Sequence, residues 1–432
     1  MDRLHQRHLF DGGMYHLKQG GVSLSSLVLH RGAVARKLAR TVASGKYQLQ
    51  PATIRLIRVE GKQRAVFDYP VLDMLVHAVV AEVMTEAIEP TLSPHLYSYR
   101  TGVSWAQAVS SFARYVRAHR RARPDPRTRG IYVLRRDVDS YTDSIPVGDA
   151  SPLWPLLVEV LGERLGAGPL VPADWDREAA WRLLHEVVQP HVRETGGQVR
   201  VRDRGVATGQ PISCVAFNLY LRDLDHELAT FPGAYVARYS DDLLVAHPDA
   251  RVARELSDLL DRRLAELELR FNLKKSRNVY LTGAGRPSHE WPEARGSTSV
   301  EFLGMRIAMD GAVALGDRKI RGLLRDARRR AQNTARAMLE RPEDERGRAV
   351  TTVVNSLLDP DRPHLAGAVA SMLAGAVTDR MQLDWLDHQL ARIVAGAVSG
   401  DPGAAAFRQV PYRRIRANWG LVSLRYARDR HP

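Results

Sequence analysis

The run Ala234-Tyr235-Val236-Ala237-Arg238-Tyr239-Ser240-Asp241-Asp242-Leu243-Leu244-Val245-Ala246 decides how the rest of this chain is read. Both flanks are apolar and rich in β-formers, so the pattern predicts a hairpin with two adjacent carboxylates at its tip. Adjacent aspartates at a turn repel each other, and a divalent cation relieves that cost. Hard oxygen donors suit Mg²⁺, which takes one or two protein carboxylates together with substrate phosphates. Aspartates are also ordinary turn residues. The tetrad Tyr239-Ser240-Asp241-Asp242 therefore gains its meaning from the rest of the chain.

With 432 residues, the chain can bury a large core divided over two or three domains. It carries 63 Lys and Arg against 49 Asp and Glu, a net charge of +14. That balance favours a polyanionic partner, nucleic acid being the commonest. The single cysteine, Cys214, excludes an intramolecular disulfide and any multi-thiolate metal site. No apolar stretch is long enough to span a membrane, and Met1 to Leu9 lack a signal-peptide core. The expectation is a cytoplasmic protein with no membrane partner.

Around the hairpin, periodicity predicts a mixed N-terminal segment with Leu27, Leu29, Ala33, Val34 and Leu38 on one helical face. A hairpin is expected over 51–69, turning at Glu60-Gly61-Lys62, then helices over 70–88 and 104–119. Ile131-Tyr132-Val133-Leu134 reads as a buried strand leading to Asp137. Helices follow across 151–191, a basic β segment over 198–204, and one helix over 212–228. Beyond the Asp-Asp turn come a helix over 252–269, a Gly/Pro-rich loop insertion over 282–300 and a strand over 300–308. Everything from about Gly316 reads as helical and arginine-rich. The order argues for an α+β catalytic region followed by an all-helical tail.

Three further segments carry chemistry. Asp137 ends its strand and opens Asp137-Val138-Asp139-Ser140-Tyr141-Thr142-Asp143-Ser144-Ile145. A strand-end carboxylate brought beside the Asp-Asp hairpin is what two-metal phosphoryl transfer requires, although Asp137, Asp139 and Asp143 also suit turns and caps. Gly205-Val206-Ala207-Thr208-Gly209-Gln210-Pro211-Ile212-Ser213 is a glycine-containing turn into a helix, where a nucleotide could approach the backbone closely. In Phe271-Asn272-Leu273-Lys274-Lys275-Ser276, a lysine follows a helix, where an ammonium could protonate pyrophosphate.

In this order the segments resemble reverse transcriptases of the bacterial kind: group II intron, retron and phage-defence enzymes. The resemblance runs from about residue 50 to 310. Lys62 and Arg64, followed by Pro70 and Asp73, look like the fingers segment. Leu96-Tyr97-Ser98-Tyr99-Arg100-Thr101-Gly102 is similar to the family's Ser-Tyr-x-x-Arg-x-Gly signature, one residue shorter. Asp137 to Ile145 resembles the first palm motif, and Gly205 to Ser213, with Asn218 and Asp225, the second. Asn272-x-x-Lys275-Ser276 matches the next motif, and Glu301 to Ile307 looks like the primer-grip strand. The chain departs from the pattern in three places. Thr142 stands where the family usually has a sugar-stacking aromatic, with Tyr141 one place earlier. Ala207-Thr208 replaces Pro-Gln, and 146–204 is a long insertion.

The resemblance implies a right-hand polymerase of α+β class with an antiparallel palm sheet. Its divisions would be an N-terminal helical segment (1–50), fingers (51–130), palm (131–310, with the insertion 146–204) and a helical thumb and C-terminal extension (311–432). It implies an RNA-directed DNA polymerase using two Mg²⁺ ions, with Mn²⁺ as a substitute. Asp137, Asp241 and Asp242 would be the catalytic acids and, with the Val138 carbonyl, the metal ligands. Lys275 would be the general acid, with Arg64, Tyr141, Thr142, Gly209, Gln210 and Tyr239 around the incoming nucleotide. Arg100 would contact nucleic acid. The implied partners are dNTPs, a DNA product and a structured non-coding RNA template in anti-phage defence, with a homo-oligomer or partner protein left open. Thr142 keeps open a template-independent or ribonucleotide-adding enzyme of the same fold. An idle RNA-binding scaffold is the remaining rival.

In the tail, Arg318 to Arg348 hold eleven basic and five acidic residues. Ile320, Leu323, Leu324, Ala327, Ala331 and Met338 fall on one helical face. Arg318, Arg321, Arg325, Arg328 and Arg329 fall mostly on another, where a thumb would grip a duplex backbone. Phe407 to Arg430 interleave Phe407, Tyr412, Trp419 and Tyr426 with seven arginines. That mixture suits either RNA contact or inward packing.

Overall fold

A computed structural model describes residues 18–19, 22–23, 29–59, 62–125, 130–162, 177–360, 363–401, 403 and 405–429. Leu27, the turn at Glu60-Gly61 and residues 163–176 of the expected helical stretch lie outside them. Helix α1 is Arg31–Ala43. Strands β1 (Thr53–Val59) and β2 (Lys62–Asp68) pair antiparallel, Ile54 opposite Phe67 and Ile57 opposite Arg64. There follow α2 (Val71–Ile88), α3 (Trp105–Ala122) and β3 (Ile131–Asp137). Helix α3 starts on a capping box between Ser104 and Gln107, the local signal that sets its first turn.

Next come α4 (Tyr141–Ser144), α5 (Leu153–Leu161), α6 (Arg177–Val188), and the antiparallel pair β4 (His191–Arg193) and β5 (Val199–Val201). Then follow α7 (Pro211–Tyr220), α8 (Arg222–Ala229), β6 (Tyr235–Tyr239), β7 (Asp242–His247) and α9 (Ala250–Glu266). Strands β8 (Arg277–Leu281), β9 (Arg295–Ser297), β10 (Ser299–Phe302), β11 (Met305–Ala308) and β12 (Val313–Leu315) lead into the tail. The tail holds α10 (Asp317–Ala337), α11 (Glu343–Ser356), α12 (Pro363–Gly375), α13 (Arg380–Ser399) and three short helices.

The fold is α+β, as expected. Its main sheet has the strand order β9-β8-β3-β7-β6, and β10-β11-β12 form a separate antiparallel sheet. β3 reads as a continuous apolar run because Ile131 to Leu134 are all buried. The chain divides into two compact units, 1–103 with 136–243 and 254–276, and 104–135 with 244–253 and 277–432.

In the first unit, α2 and α7 pack together, and both also pack on α5. In the second, α10, α11 and α13 pack on one another. Ile320, Leu323, Leu324, Ala327 and Ala331 are buried along α10, while Arg318, Arg321, Arg325, Arg328 and Arg329 are exposed. The 3.6-residue period sorted these faces correctly. Met338 falls just past the helix end and is only half-buried.

Several expectations are corrected. The helix expected over 212–228 breaks at Leu221, whose φ of −106° and ψ of 12° end α7. The stretch 282–300 is no simple loop, since β9 pairs parallel to β8 and Trp291 and Ala294 are buried. The strand expected over 300–308 is a hairpin turning at Leu303 and Gly304, both at positive φ. Helix α1 buries no side chain. In the C-terminal segment Trp419 packs inward: its indole lies against Gly347 so closely that a Cβ there would clash at 2.2 Å, and its Nε1 donates to Asp344. Arg414 and Arg416 are engaged by Glu343, Asp344 and Asp387.

Candidate active site

The tip of the β6–β7 hairpin is the centre. Ser240 adopts a left-handed φ of 58°, which lets two residues turn the chain between paired strands. Three neighbours hold that turn. The segment before Tyr99 runs beside β6, with Tyr97 N donating to Arg238 O and Arg238 N to His95 O. Ser98 Oγ then accepts from Ser240 N at 2.9 Å and donates to Asn218 Oδ1.

Beneath the turn, Arg238 is wholly buried against Asp225, which is 1% exposed, with Nη2 to Oδ2 at 2.6 Å. The same guanidinium donates to the carbonyls of Ser240, Phe217 and Asn218. The break at Leu221 explains the last two: a helix end leaves its final carbonyls without intrahelical donors, and here a cation supplies them.

Asp137, at the end of β3, is brought to the hairpin through the backbone. Val138 N donates to Asp241 O at 3.1 Å, and Asn272 N donates to Asp137 O at 2.8 Å. The second bond carries the 271–275 segment to the acid. Lys275 Nζ donates to both Asp137 oxygens, at 2.7 and 2.6 Å. Asp241 has its pKa raised, first by burial and then by the Asp137 carboxylate; Lys275 and Arg64 act against that rise. The charges of Asp137, Lys275 and Arg64 thus all bear on Asp241. Asp242 begins β7 with Oδ1 buried. Among the described residues, no three or more His, Cys, Asp and Glu side chains form a metal-holding group.

Other expected site residues are placed differently. Tyr141 is buried, packs its ring tilted against Phe217 at 5.2 Å between centroids and donates its hydroxyl to Phe217 O. It faces the core rather than taking over from the missing aromatic, and Thr142 beside it is half-buried. Gly209, at φ +95°, lies so close to Val66 that a Cβ would meet it at 2.6 Å. Gln210 is buried and donates to Phe67 O, while Phe67 N donates to Thr208 O. The 205–210 turn therefore clamps the β1–β2 hairpin.

Arg100 is spent on Glu89 and on the carbonyls of Ser93 and Leu96. Tyr239 lies in a loose aromatic group with Tyr99, 6.4 Å between ring centroids. The exposed arginines of α10 belong to the other unit. Reading by motif missed the support beneath the turn. Its signal was a lone charge, Arg238, inside an apolar strand.

Residues 173–307 match the family model described as reverse transcriptase (RNA-dependent DNA polymerase). That match contains Asp241, Asp242 and Lys275 and supports nucleic-acid polymerase activity. No curated protein matches the chain. Among solved structures, a Candida albicans telomerase in complex with a telomeric RNA fragment is similar at a TM-score of 0.46 and 10% identity, over 90% of this chain and 67% of that one. A truncated apo telomerase from Candida tropicalis gives 0.45 and 12%, over 66% of this chain and 60% of that one. The RNA-dependent RNA polymerase of a human picobirnavirus, with an insertion loop deleted, gives 0.42 and 14%, over 88% and 64%. Likenesses this faint support no inference about activity.

Proposed function

We propose that the chain is an RNA-directed DNA polymerase that adds dNTPs at the Asp137–Asp241 site. The observation that carries this reading is the Asp137 carboxylate, gripped by the Lys275 ammonium and tied to the Asp241 turn through Val138 N. Two hard carboxylates suit Mg²⁺, which in phosphoryl-transfer sites takes one or two from the protein and the rest from phosphates. Asp137, Asp241 and the Val138 carbonyl would hold it, with Asp242 alongside. When bound, such ions lower the pKa of an attacking hydroxyl and neutralise leaving pyrophosphate. Arg64 in this reading attracts the triphosphate, and Lys275 hands a proton to the departing pyrophosphate. In this reading β1–β2 belongs to the fingers, the main sheet to the palm and α10 to the thumb. An RNA template encoded for phage defence belongs to the same proposal.

One observation favours a second reading. With Tyr141 turned inward and Thr142 small, no aromatic at these two positions screens the sugar, so ribonucleotides would also be accepted. Primer extension on an RNA template, with dNTPs and NTPs in competition, tests both. DNA synthesis lost in Asp241→Asn supports the first reading, and ribonucleotide incorporation at comparable rates moves the assignment to the second. Unchanged synthesis in Asp241→Asn defeats both.

A further inference from the structure

The insertion 146–204 builds a cleft of its own. Backbone bonds tie its β4–β5 hairpin to the start of β1: Ala52 N donates to His191 O, and Arg193 N to Ala52 O, both at 2.8 Å. The cleft between them has a volume of about 790 Å³. Ile54 and Val192 supply apolar wall, and four arginines line the rest: Arg193, Arg200, Arg202 and Arg204. Two carboxylates, Glu194 and Asp203, also border it, so cations outnumber anions two to one.

The arginines are held to different degrees. Arg204 is anchored by Glu268 and by Ser144 O, which fixes one wall. Arg202 lies over the Phe67 ring at 5.5 Å, and its Nε donates to Arg204 O. Packing on an aromatic face and a fixed Nε pre-organise that guanidinium. Arg200 makes only a loose pair with Glu194 at 3.8 Å, both exposed, an interaction worth little in water.

We infer that this cleft binds the sugar-phosphate backbone of a single-stranded polynucleotide. Arg200 and Arg202 stand two residues apart on an extended segment, so they share a side at a spacing of roughly 6.7 Å. Charges set out along a line suit successive phosphates of a strand rather than one phosphate group. Guanidinium forks pair bidentately with phosphate oxygens, and Ile54 with Val192 offers an apolar seat for a ribose or base. The cleft's charge and shape stand independently of the polymerase reading; that the strand is a template rests on it.

The test is fluorescence anisotropy of labelled U20 RNA with the full chain in EDTA, without nucleotides, over a salt series. Arg200→Gln/Arg202→Gln should weaken binding about tenfold and reduce the salt slope by about 1.4, two contacts at roughly 0.7 each. Arg254→Gln/Arg262→Gln, the same charge loss on the exposed side of α9, should leave both unchanged. Because Arg202 also packs on Phe67, Arg193→Gln/Arg200→Gln repeats the test without touching that contact. Equal losses in the cleft and α9 variants would overturn the inference, as would no loss in either cleft variant. Displacement of U20 by stoichiometric ATP would make the cleft a mononucleotide site and also overturn it. No polymerisation is measured, so failure here leaves the Asp241→Asn experiment independent.

Discussion

Lys275 places its ammonium between the two carboxylate oxygens of Asp137, 2.7 and 2.6 Å away, on a side chain that reaches the acid from a different segment. Under the proposed function, the lysine thereby competes with a divalent cation for the Asp137 carboxylate. Asp137 is 6% exposed and Lys275 44%, so the pair is partly screened and worth about 1 kcal/mol. Removing the ammonium should therefore tighten cation binding about fivefold. The expected outcome for Lys275→Met is stronger Mn²⁺ binding in the absence of nucleotide, read by electron paramagnetic resonance, together with slower nucleotide addition. Equal or weaker Mn²⁺ binding would show that the ammonium does not compete for Asp137.

Arg238 and Asp225 form the buried pair under the Ser240–Asp241 turn. Breaking such a pair leaves an uncompensated charge and costs about 3–5 kcal/mol. Asp225→Asn should therefore destabilise the fold severely. The double variant Arg238→Met/Asp225→Leu removes both charges and should recover most of the stability. It also strips the donors from Ser240 O, Phe217 O and Asn218 O, so the turn loses its support. Denaturant melts should show recovery while primer extension stays depressed. Recovery of both would mean the pair serves stability alone.

How much was legible in the sequence differs between these two pairs. The Asp-Asp hairpin and β3 ending at Asp137 followed from short apolar, β-prone runs, and the arginine face of α10 from the 3.6-residue period. The break at Leu221 did not, because Leu221 is an ordinary helix former and the break is stabilised by Arg238, which lies 17 positions later. Gln210 and Gly209 were legible as a turn into a helix, but what they face depends on Val66 and Phe67, which no local pattern connects to them. Arg100 shows the same limit: its charge suggested phosphate, while Glu89 and two carbonyls lay within reach of its side chain.

Under the proposed function, Asp241 trades stability for catalysis. Its pKa is raised by burial and by the Asp137 charge, so the folded chain favours the protonated form more than the unfolded chain does. At neutral pH the ionised carboxylate therefore costs stability, and that cost is absent below the ordinary carboxylate range. Asp241→Asn should melt at a higher temperature than the native chain at pH 7.5, with the advantage shrinking towards pH 4, while nucleotide addition is lost. A lower melting temperature at pH 7.5 would show that the carboxylate is already compensated in the cation-free protein.

His77 gives a separate acid sensitivity, away from the Ser240–Asp241 turn. It is fully buried on α2, neither ring nitrogen has a hydrogen-bond partner among the described residues, and the Tyr69 ring lies 4.4 Å away. Burial lowers its pKa from 6.5 to about 4. The unfolded chain binds this proton at a higher pH than the folded one. Stability is therefore intact above pH 6.5 and drains as the pH falls towards 4, by about 3 kcal/mol in full. Asp73, one turn earlier, has a raised pKa and works in the opposite sense just above the ordinary carboxylate range. Subtracting the native curve from that of His77→Leu isolates the histidine. The variant should gain relative stability steadily from pH 6.5 to 4 in urea titrations, and a flat difference would show that His77 takes up a proton in the folded chain.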